Sequence, residues 1–89
     1  MNVKFFAYIR NYTKCKEVDI EHCKTVEDLL WKLCSLYGKG LEEKLFVNNK
    51  LSDEIIILVN GRHITHLNGI ETPLESNDVI SIFPTVAGG

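Results

Sequence analysis

Residues 25–38 of this 89-residue chain read TVEDLLWKLCSLYG, and they are the strongest indication of its fold. Their apolar members recur every three or four residues, a spacing that gathers them on one side of an α-helix. These members are Val26, Leu29, Leu30, Leu33, Cys34 and Tyr37. Thr25 is a favourable N-cap and Gly38 a common stop signal. The stretch therefore predicts one amphipathic helix that must bury its apolar face.

Segments with strand character lie on both sides of this helix. They span residues 3–9, 15–20, 55–60, 62–65 and 79–83. The first alternates apolar and polar side chains with a period of two, which is typical of a strand with one buried face. Residues 11–14 are predicted to turn the chain into the second strand. Asn60-Gly61 should join the third and fourth strands, because this dipeptide suits a type I′ turn. Pro84 has no N–H to donate and is predicted to end the pairing of the last strand.

The remaining segments are shorter or more polar. Residues 40–46 are predicted to form a short second helix, residues 48–54 a polar loop, and residues 68–77 an irregular connection. A single amphipathic helix covers only one face of a small sheet. We therefore expect an α+β fold of the ubiquitin-like β-grasp type, with a mixed five-stranded sheet curled over one main helix. Residues 1–84 would form this domain, and residues 85–89 a flexible tail.

Composition and charge narrow the class of protein. A chain of 89 residues with 45% apolar residues suffices for one small globular domain. The net charge is −2 and the basic residues are scattered, which argues against nucleic acid or an anionic membrane as a partner. The longest apolar run, residues 55–59, is too short to span a bilayer, and the first residues lack the features of a signal peptide. We therefore expect a cytoplasmic location.

Few side chains in the sequence could carry chemistry. Cys15, Cys23 and Cys34 are odd in number and contain no close pair, so they are interpreted as reduced thiols. No spacing matches a metal site, a phosphate-binding loop or a nucleophile elbow. The histidines at positions 22, 63 and 66 are interpreted as solvated or packing residues. We expect no catalytic residue, no metal and no bound cofactor.

The end of the chain, residues 83–89, reads FPTVAGG and leaves the predicted last strand without a polar spacer. Because glycine has no Cβ, Gly88 and Gly89 allow the backbone to pass a narrow channel and approach a nucleotide closely. A partner enzyme could convert the Gly89 carboxylate into an acyl-adenylate with ATP, and a persulfide could then displace AMP to leave a thiocarboxylate. The sequence therefore suggests Gly89 as the reacting residue, on a thin tail that also contains Val86 and Ala87.

Several motifs resemble those of the MoaD/ThiS family of sulfur carriers, and the resemblance covers the whole chain. They are VKFFA with Arg10 in residues 3–10, VNG at 59–61, PL at 73–74 with DVI at 78–80, and FPTVAGG at 83–89. The opening motif, the Phe-Pro of the tail and the length are more similar to MoaD, the small subunit of molybdopterin synthase, than to ThiS. One departure is Thr85, where MoaD tails usually have a second proline.

The resemblance implies partners and a surface that binds them. Family members are activated by an ATP- and Mg-dependent adenylyltransferase of the MoeB/ThiF type and receive sulfur indirectly from a sulfurtransferase or cysteine desulfurase. MoaD also binds a large subunit of the MoaE type. The contacts use the tail and the open sheet face, where the matching positions are Phe6, His63 and Phe83. Independently of the resemblance, strand alternation places Phe6 and Phe83 on the face of the sheet that is not buried. Exposed aromatic residues on such a face indicate a protein interface. His63 stands where the family usually has an apolar residue, so its role stays open.

Four functions are compatible with the sequence. The first is sulfur donation in molybdopterin (molybdenum cofactor) biosynthesis, as the resemblance to MoaD implies. The second is sulfur carriage to another acceptor, such as the thiazole of thiamine, a tRNA or a tungsten-pterin. The third is a ubiquitin-like modifier that is joined to lysines by an isopeptide bond. The fourth is a β-grasp binding module with an accidental diglycine, which the terminal position of Gly89 argues against.

Overall fold

The computed structural model describes residues 1–85, so the predicted tail residues 86–89 lie outside the described part of the chain. The strands are β1 (Asn2–Phe5), β2 (Glu17–Asp19), β3 (Phe46–Val47), β4 (Lys50–Leu51), β5 (Ile55–Val59), β6 (Arg62–His63) and β7 (Val79–Pro84). The α-helices are α1 (Ile9–Thr13), α2 (Val26–Tyr37) and α3 (Lys39–Leu45). Two short 3₁₀ helices, Ile64–His66 and Gly69–Glu71, occupy part of the connection from β6 to β7.

Five of the strands form one mixed sheet in the order β2-β1-β7-β5-β6. Strands β1 and β7 run parallel at its centre, and the other neighbouring pairs are antiparallel. Helix α2 contributes Leu29, Leu30 and Leu33 to a core that also contains Phe5 and Ile57 from the sheet, all of them fully buried. Each such side chain contributes about 1.5–3 kcal/mol on burial. The expected β-grasp fold, a mixed five-stranded sheet over one main helix, is confirmed.

Helix α2 begins and ends where its local signals predict. Thr25 Oγ1 accepts a hydrogen bond from the backbone N–H of Asp28 at 3.2 Å. The Asp28 carboxylate in turn accepts one from the backbone N–H of Lys24 at 3.2 Å. The first bond caps the N-terminus of the helix, and the second ties the Asp28 side chain to the residue before the cap. Gly38 follows the last turn with a φ of 97°, a conformation that favours glycine.

Replacing Thr25 by alanine is expected to destabilise the domain by about 1 kcal/mol, because it removes the acceptor for the Asp28 N–H. Ser35→Ala is the matched control, since Ser35 is exposed in the same helix and should change the free energy of unfolding by less than about 0.5 kcal/mol. Urea-induced unfolding measures both variants. Equal effects would show that this cap does not anchor the helix.

The first predicted strand, residues 3–9, is too long. Strand β1 is shorter, Ala7 takes a positive φ of 53°, and α1 occupies the place of the turn predicted at residues 11–14. The alternating pattern is ambiguous because Ile9 fits two structures. It could be the last apolar residue of a strand, or the first buried position of a helix with Thr13 four residues later. In the fold both Ile9 and Thr13 are buried, so the helix is the structure that forms.

The observed boundaries of other elements differ less from the predicted ones. Strand β2 covers less than the predicted residues 15–20, and β6 covers less than residues 62–65 because the chain enters a 3₁₀ helix. The loop predicted at residues 48–54 contains β4, which pairs with β3 around a tight turn. Asn48 and Asn49 form that turn with positive φ angles, which asparagine tolerates better than most residues.

Pro84 lies within β7, so the predicted end of pairing at this residue is wrong. It stands opposite Ile55 of β5, and the next residue, Thr85, donates its N–H to the Glu54 carbonyl at 2.8 Å. Backbone groups of successive residues point to opposite sides of a strand, and those of Ile82 point toward β1. The nitrogen of Pro84 therefore points to the same side, beyond the end of β1. Because β1 has already ended there, the missing N–H of Pro84 costs the sheet no hydrogen bond.

The three cysteines are free thiols. Cys34 on α2 is buried, and burial raises the pKa of its thiol to about 11. It therefore stays protonated and packs as a small apolar residue, as predicted. Burial also raises the pKa of the Cys23 thiol. The Cys15 sulfur is half-buried and lies 3.5 Å from the Tyr37 hydroxyl oxygen.

Candidate functional site: the open sheet face and the root of the tail

The face of the sheet opposite α2 carries the residues that the sequence suggests for partner binding. Strand register determines which side chains meet there. One row across the sheet consists of Lys4, Ser81, Leu58 and His63. In the next row toward the tail, Phe83 lies opposite Ile56. Because alternate residues share a face, this surface collects side chains from β1, β5, β6 and β7, and β1 and β7 lie near opposite ends of the chain.

Phe6 and Phe83 form an aromatic pair on this face. Their ring centroids are 5.8 Å apart with an interplanar angle of 85°, an edge-to-face arrangement that aromatic rings prefer. Phe6 keeps 37% of its surface exposed, and Phe83 is partly exposed within β7. The two side chains therefore form one continuous apolar surface. Isolated exposed phenylalanines are common on protein surfaces and would not indicate a binding site.

A shallow apolar depression of about 440 Å³ surrounds this pair. It is lined by Phe6, Ala7, Leu58, Ser81, Phe83 and Pro84. The sequence analysis missed Leu58, which alternation along β5 could have assigned to the same face as Ile56. It also missed Ala7, for which alternation gives the wrong face because this residue sits in a positive-φ turn after β1.

Two cationic side chains lie over exposed aromatic rings just after β1. Arg10 in α1 donates its Nε–H to the Phe5 carbonyl at 2.7 Å and holds its guanidinium carbon 5.6 Å from the centroid of the Phe6 ring. Lys44 Nζ in α3 lies 5.7 Å from the ring centroid of Tyr8, which is also 37% exposed. Within residues 1–85 neither cation forms an ion pair with a carboxylate. Arg10 therefore ties the end of β1 to the exposed ring of Phe6.

The root of the tail is held against the sheet. The last described residue, Thr85, bonds to the Glu54 carbonyl beside β5, two residues after Phe83. Gly89 and the tail residues Val86, Ala87 and Gly88 lie outside the described residues, so their role stays a prediction. The same holds for the division into a domain of residues 1–84 and a tail.

His63 lies on the same face, but in a neighbouring groove. Its Nδ1 accepts a hydrogen bond from the Thr65 backbone N–H at 3.1 Å and lies 2.9 Å from the Thr65 hydroxyl oxygen. The groove has a volume of about 510 Å³ and is also lined by Ile56 and Thr85. The structure thus brings Phe6 and Phe83 into contact and places His63 beside them without contact to either ring.

The structure of residues 1–85 also bears on metal sites, membrane-spanning helices and the remaining histidines. Among residues 1–85, no three His, Cys, Asp or Glu side chains are arranged to hold a metal ion. No helix in the same span is long and apolar enough to cross a membrane. The side chain of His22 is 89% exposed, with the Glu21 carboxylate 3.9 Å away, and His66 is exposed. Both histidines are solvated, as interpreted from the sequence.

Comparison with protein families identifies the kind of molecule to which these features belong. The model of the ThiS family matches residues 3–89, from β1 through the diglycine. This chain belongs to the ThiS family. Members of the ThiS/MoaD group are small sulfur carriers and ubiquitin-like modifiers, not catalysts themselves.

Two curated relatives agree with the ThiS assignment. A protein of Archaeoglobus fulgidus named "Putative sulfur carrier protein" is 45% identical over 73 residues, which are 82% of this chain and 82% of the relative. Small archaeal modifier protein 3 of Haloferax volcanii is 34% identical over 91 aligned residues, with coverage of 100% of this chain and 98% of the relative. The ThiS-family chain is thus similar both to a sulfur carrier and to a protein modifier.

Solved structures show the same fold as this ThiS-family chain. Small archaeal modifier protein 1 from Methanosarcina acetivorans has a TM-score of 0.88 at 35% identity and covers 99% of this chain and 94% of its own. The Amycolatopsis orientalis BexX/CysO complex contains a chain with a TM-score of 0.86 at 27% identity and coverage of 99% and 98%. A Pyrococcus furiosus protein named as a molybdopterin converting factor, subunit 1, has a TM-score of 0.77 at 28% identity and coverage of 96% and 95%.

Proposed function

We propose that this ThiS-family chain carries sulfur as a thiocarboxylate on Gly89 and donates it in molybdopterin biosynthesis. A partner adenylyltransferase of the MoeB/ThiF type would use ATP and Mg²⁺ to convert the carboxylate into an acyl-adenylate. A persulfide, charged by a sulfurtransferase or cysteine desulfurase, would attack the acyl carbon and release AMP. Cleavage of the resulting S–S bond by a thiol would leave the thiocarboxylate. All catalytic groups and the nucleotide site would belong to partners.

The family match through Gly88-Gly89 is the observation that carries this proposal. The geometry at the root of the tail supports it. Thr85 is bonded to the Glu54 carbonyl, and β7 is held in the sheet between β1 and β5. A tail that starts from a fixed strand can present its end to a partner's site within a limited reach of Phe83. Glycines at that end keep the backbone thin enough for a narrow channel.

Molybdopterin as the sulfur acceptor is supported by two similarities. The opening motif of residues 3–7 resembles that of MoaD, and the Pyrococcus neighbour is named as a molybdopterin converting factor. In this role the chain would be the small subunit of a synthase and would bind a large subunit of the MoaE type. Thiazole, tRNA and tungsten-pterin remain alternative acceptors for the same thiocarboxylate.

Reconstitution tests both steps of the proposal. The chain is incubated with the adenylyltransferase of the same genome, ATP, Mg²⁺ and a sulfur source, and its intact mass is measured. Replacement of one C-terminal oxygen by sulfur is expected. The thiolated chain is then mixed with the large subunit and the sulfur-free pterin precursor. Formation of molybdopterin supports this acceptor, whereas thiolation without transfer would refute the molybdopterin role and leave sulfur carriage intact.

A second function is favoured by one specific observation. The Haloferax volcanii relative that aligns with the whole chain is named a modifier protein. In that role a lysine amine of a target would attack the acyl-adenylate, form an isopeptide bond with Gly89 and release AMP. Proteolytic peptides of cell extracts with a tail remnant on lysine would support this function. Their absence in cells that express the chain would count against it.

We also propose that Phe6 and Phe83 anchor partner proteins, with His63 on the same surface. The aromatic pair and its depression support this surface. The BexX/CysO complex provides a protein of this fold in a complex with another protein. Aromatic side chains, phenylalanine among them, are enriched at protein interfaces relative to the rest of the surface.

The interface proposal predicts a loss of affinity in Phe6→Ala. Because Phe6 keeps 37% of its surface exposed and lies outside the buried core, binding to the adenylyltransferase should weaken by more than about 1 kcal/mol while the domain stays folded. Isothermal titration measures the affinity, and circular dichroism checks the fold. Leu36→Ala is the control, because Leu36 is 56% exposed on α2, away from the open face. An unchanged affinity of Phe6→Ala for both the adenylyltransferase and the large subunit would rule out the anchor.

A further inference from the structure

His63 is held in one tautomer by its neighbours. It is the N-cap of the 3₁₀ helix Ile64–His66, and its Nδ1 accepts a bond from the Thr65 backbone N–H at 3.1 Å. A backbone N–H can only donate, so Nδ1 must present its lone pair. The proton of the neutral ring then resides on Nε2. The Thr65 hydroxyl, 2.9 Å from Nδ1, adds a second contact to the same ring nitrogen.

The Nε2–H group of His63 is left available for an external partner. Among the hydrogen bonds of residues 1–85, none involves Nε2. No buried side-chain nitrogen or oxygen in this part of the chain lacks a hydrogen-bond partner, so Nε2 is accessible to solvent. The ring of His66 lies edge-on to that of His63, with centroids 6.2 Å apart. His63 thus presents one oriented donor at the surface.

The position of this donor places it on the surface that is proposed to bind partners. His63 stands opposite Leu58, in the row next to the one that contains Phe83. It also lines the groove that contains Thr85, at the root of the tail. A partner that covers the aromatic pair and follows the tail would cover His63 as well. A buried N–H without an acceptor is costly, so such a partner must supply one.

We propose that His63 is a specificity-determining residue whose Nε2–H donates a hydrogen bond to an oxygen acceptor, a carbonyl or carboxylate, on the adenylyltransferase. The inference rests on the proposed function, since it assumes that the open face docks on that enzyme. It adds the chemistry of one contact. An adenylyltransferase with an apolar surface at this point would leave the donor unpaired and would bind this chain poorly.

The tautomer is tested on the free protein. Long-range ¹H–¹⁵N correlation spectra of the labelled chain at pH 8 distinguish a protonated Nε2 from a protonated Nδ1. The expected spectrum shows His63 with the proton on Nε2, and His22, which lacks such a contact, provides the comparison. A dominant Nδ1–H form of His63 would overturn the proposal, because the donor would then point toward Thr65.

The contact itself is tested with matched variants. His63→Leu removes the donor and is expected to weaken binding to the adenylyltransferase of the same genome by on the order of tenfold. His63→Asn keeps a good capping side chain but is too short to place its N–H at the same point, so it should show a similar loss with an intact fold. The control His22→Leu makes the same change at a histidine that is 89% exposed and does not line the groove of His63, and it should bind as tightly as the wild type.

The outcome separates this inference from the function on which it rests. If the wild type is thiolated and both His63 variants bind with wild-type affinity, His63 determines no specificity while sulfur carriage stands. If the wild type itself is neither bound nor thiolated, the result contradicts the proposed function, and with it the docking that the His63 contact requires. Loss of binding in both His63 variants, with the control unchanged, supports the oriented donor.

Discussion

Adding one residue after Gly89 is expected to slow thiolation by the adenylyltransferase on the order of a hundredfold. One added residue moves the terminal carboxylate by up to about 3.3–3.6 Å. A displacement of even about 1 Å can cost on the order of a hundredfold in a reaction that depends on position. The root at Thr85 is bonded to the Glu54 carbonyl, which fixes the point on the sheet from which the tail starts.

Two further variants test the same requirement. Deleting Gly89 withdraws the carboxylate by one residue, and Gly88→Val adds a branched side chain where the partner's channel should be narrowest. The buried core of the described residues lies between Met1 and Ile82, and none of the three changes alters these residues, so the midpoint of urea unfolding should equal that of the wild type. Leu36→Ala serves as the control for thiolation, since its side chain is exposed on α2, on the other side of the sheet from the open face.

The measurement is the intact mass of each variant over time with the adenylyltransferase, ATP, Mg²⁺ and a sulfur source. The wild type and Leu36→Ala should show replacement of one oxygen by sulfur at equal rates. Thiolation of the extended chain as fast as the wild type would show that the end of the chain is not the reacting group. The carrier mechanism proposed for Gly89 would then be wrong.

Leu30→Ala is expected to cost about 2–5 kcal/mol of folding free energy. Leu30 is fully buried on α2, within a core that includes Leu29 and Leu33 of the same helix and Phe5 and Ile57 of the sheet. Truncation leaves a cavity between helix and sheet, and a sheet of this kind has only one main helix to close it. A loss of this size is a large fraction of the stability of a small domain.

The same helix supplies a matched control for this prediction. Leu36→Ala makes the identical chemical change at a position that is 56% exposed, and it should alter the free energy of unfolding by less than about 0.5 kcal/mol. Urea unfolding of both variants gives the difference directly. Similar losses at Leu30 and Leu36 would mean that the buried face of α2 is wrongly assigned.

Local signals in the sequence suffice to predict the main helix and the class of fold. The signals of α2 are local: the Thr25 cap, the stop at Gly38 and an apolar stripe with the helical period all lie within one segment. The Asn60-Gly61 turn is equally local, because its positive φ angles are a property of the two residues. With one such helix and five strands, few arrangements bury the apolar faces, so the β-grasp fold follows from the sequence pattern.

Part of the candidate site follows from the same pattern. Alternation along β7 correctly places Phe83 on the face opposite Ile80 and Ile82, which are fully buried. The diglycine is visible as a motif without any structure. The partner, the sulfur acceptor and the chemistry at Gly89 are proposals that the pattern and the family match support, and they await the reconstitution described above.

The end of β1 and the contact that Phe6 makes follow from packing between distant segments. Alternation up to Ile9 suits a strand and a short helix equally, and packing of Ile9 in the core settles the choice for α1. The contact of Phe6 with Phe83 depends on the parallel register of β1 with β7, two strands near opposite ends of the chain. The oriented donor of His63 likewise depends on the 3₁₀ helix that follows β6. Periodicity is a local property that reports which face a residue takes, whereas register and contacts between distant segments arise only when the whole core packs.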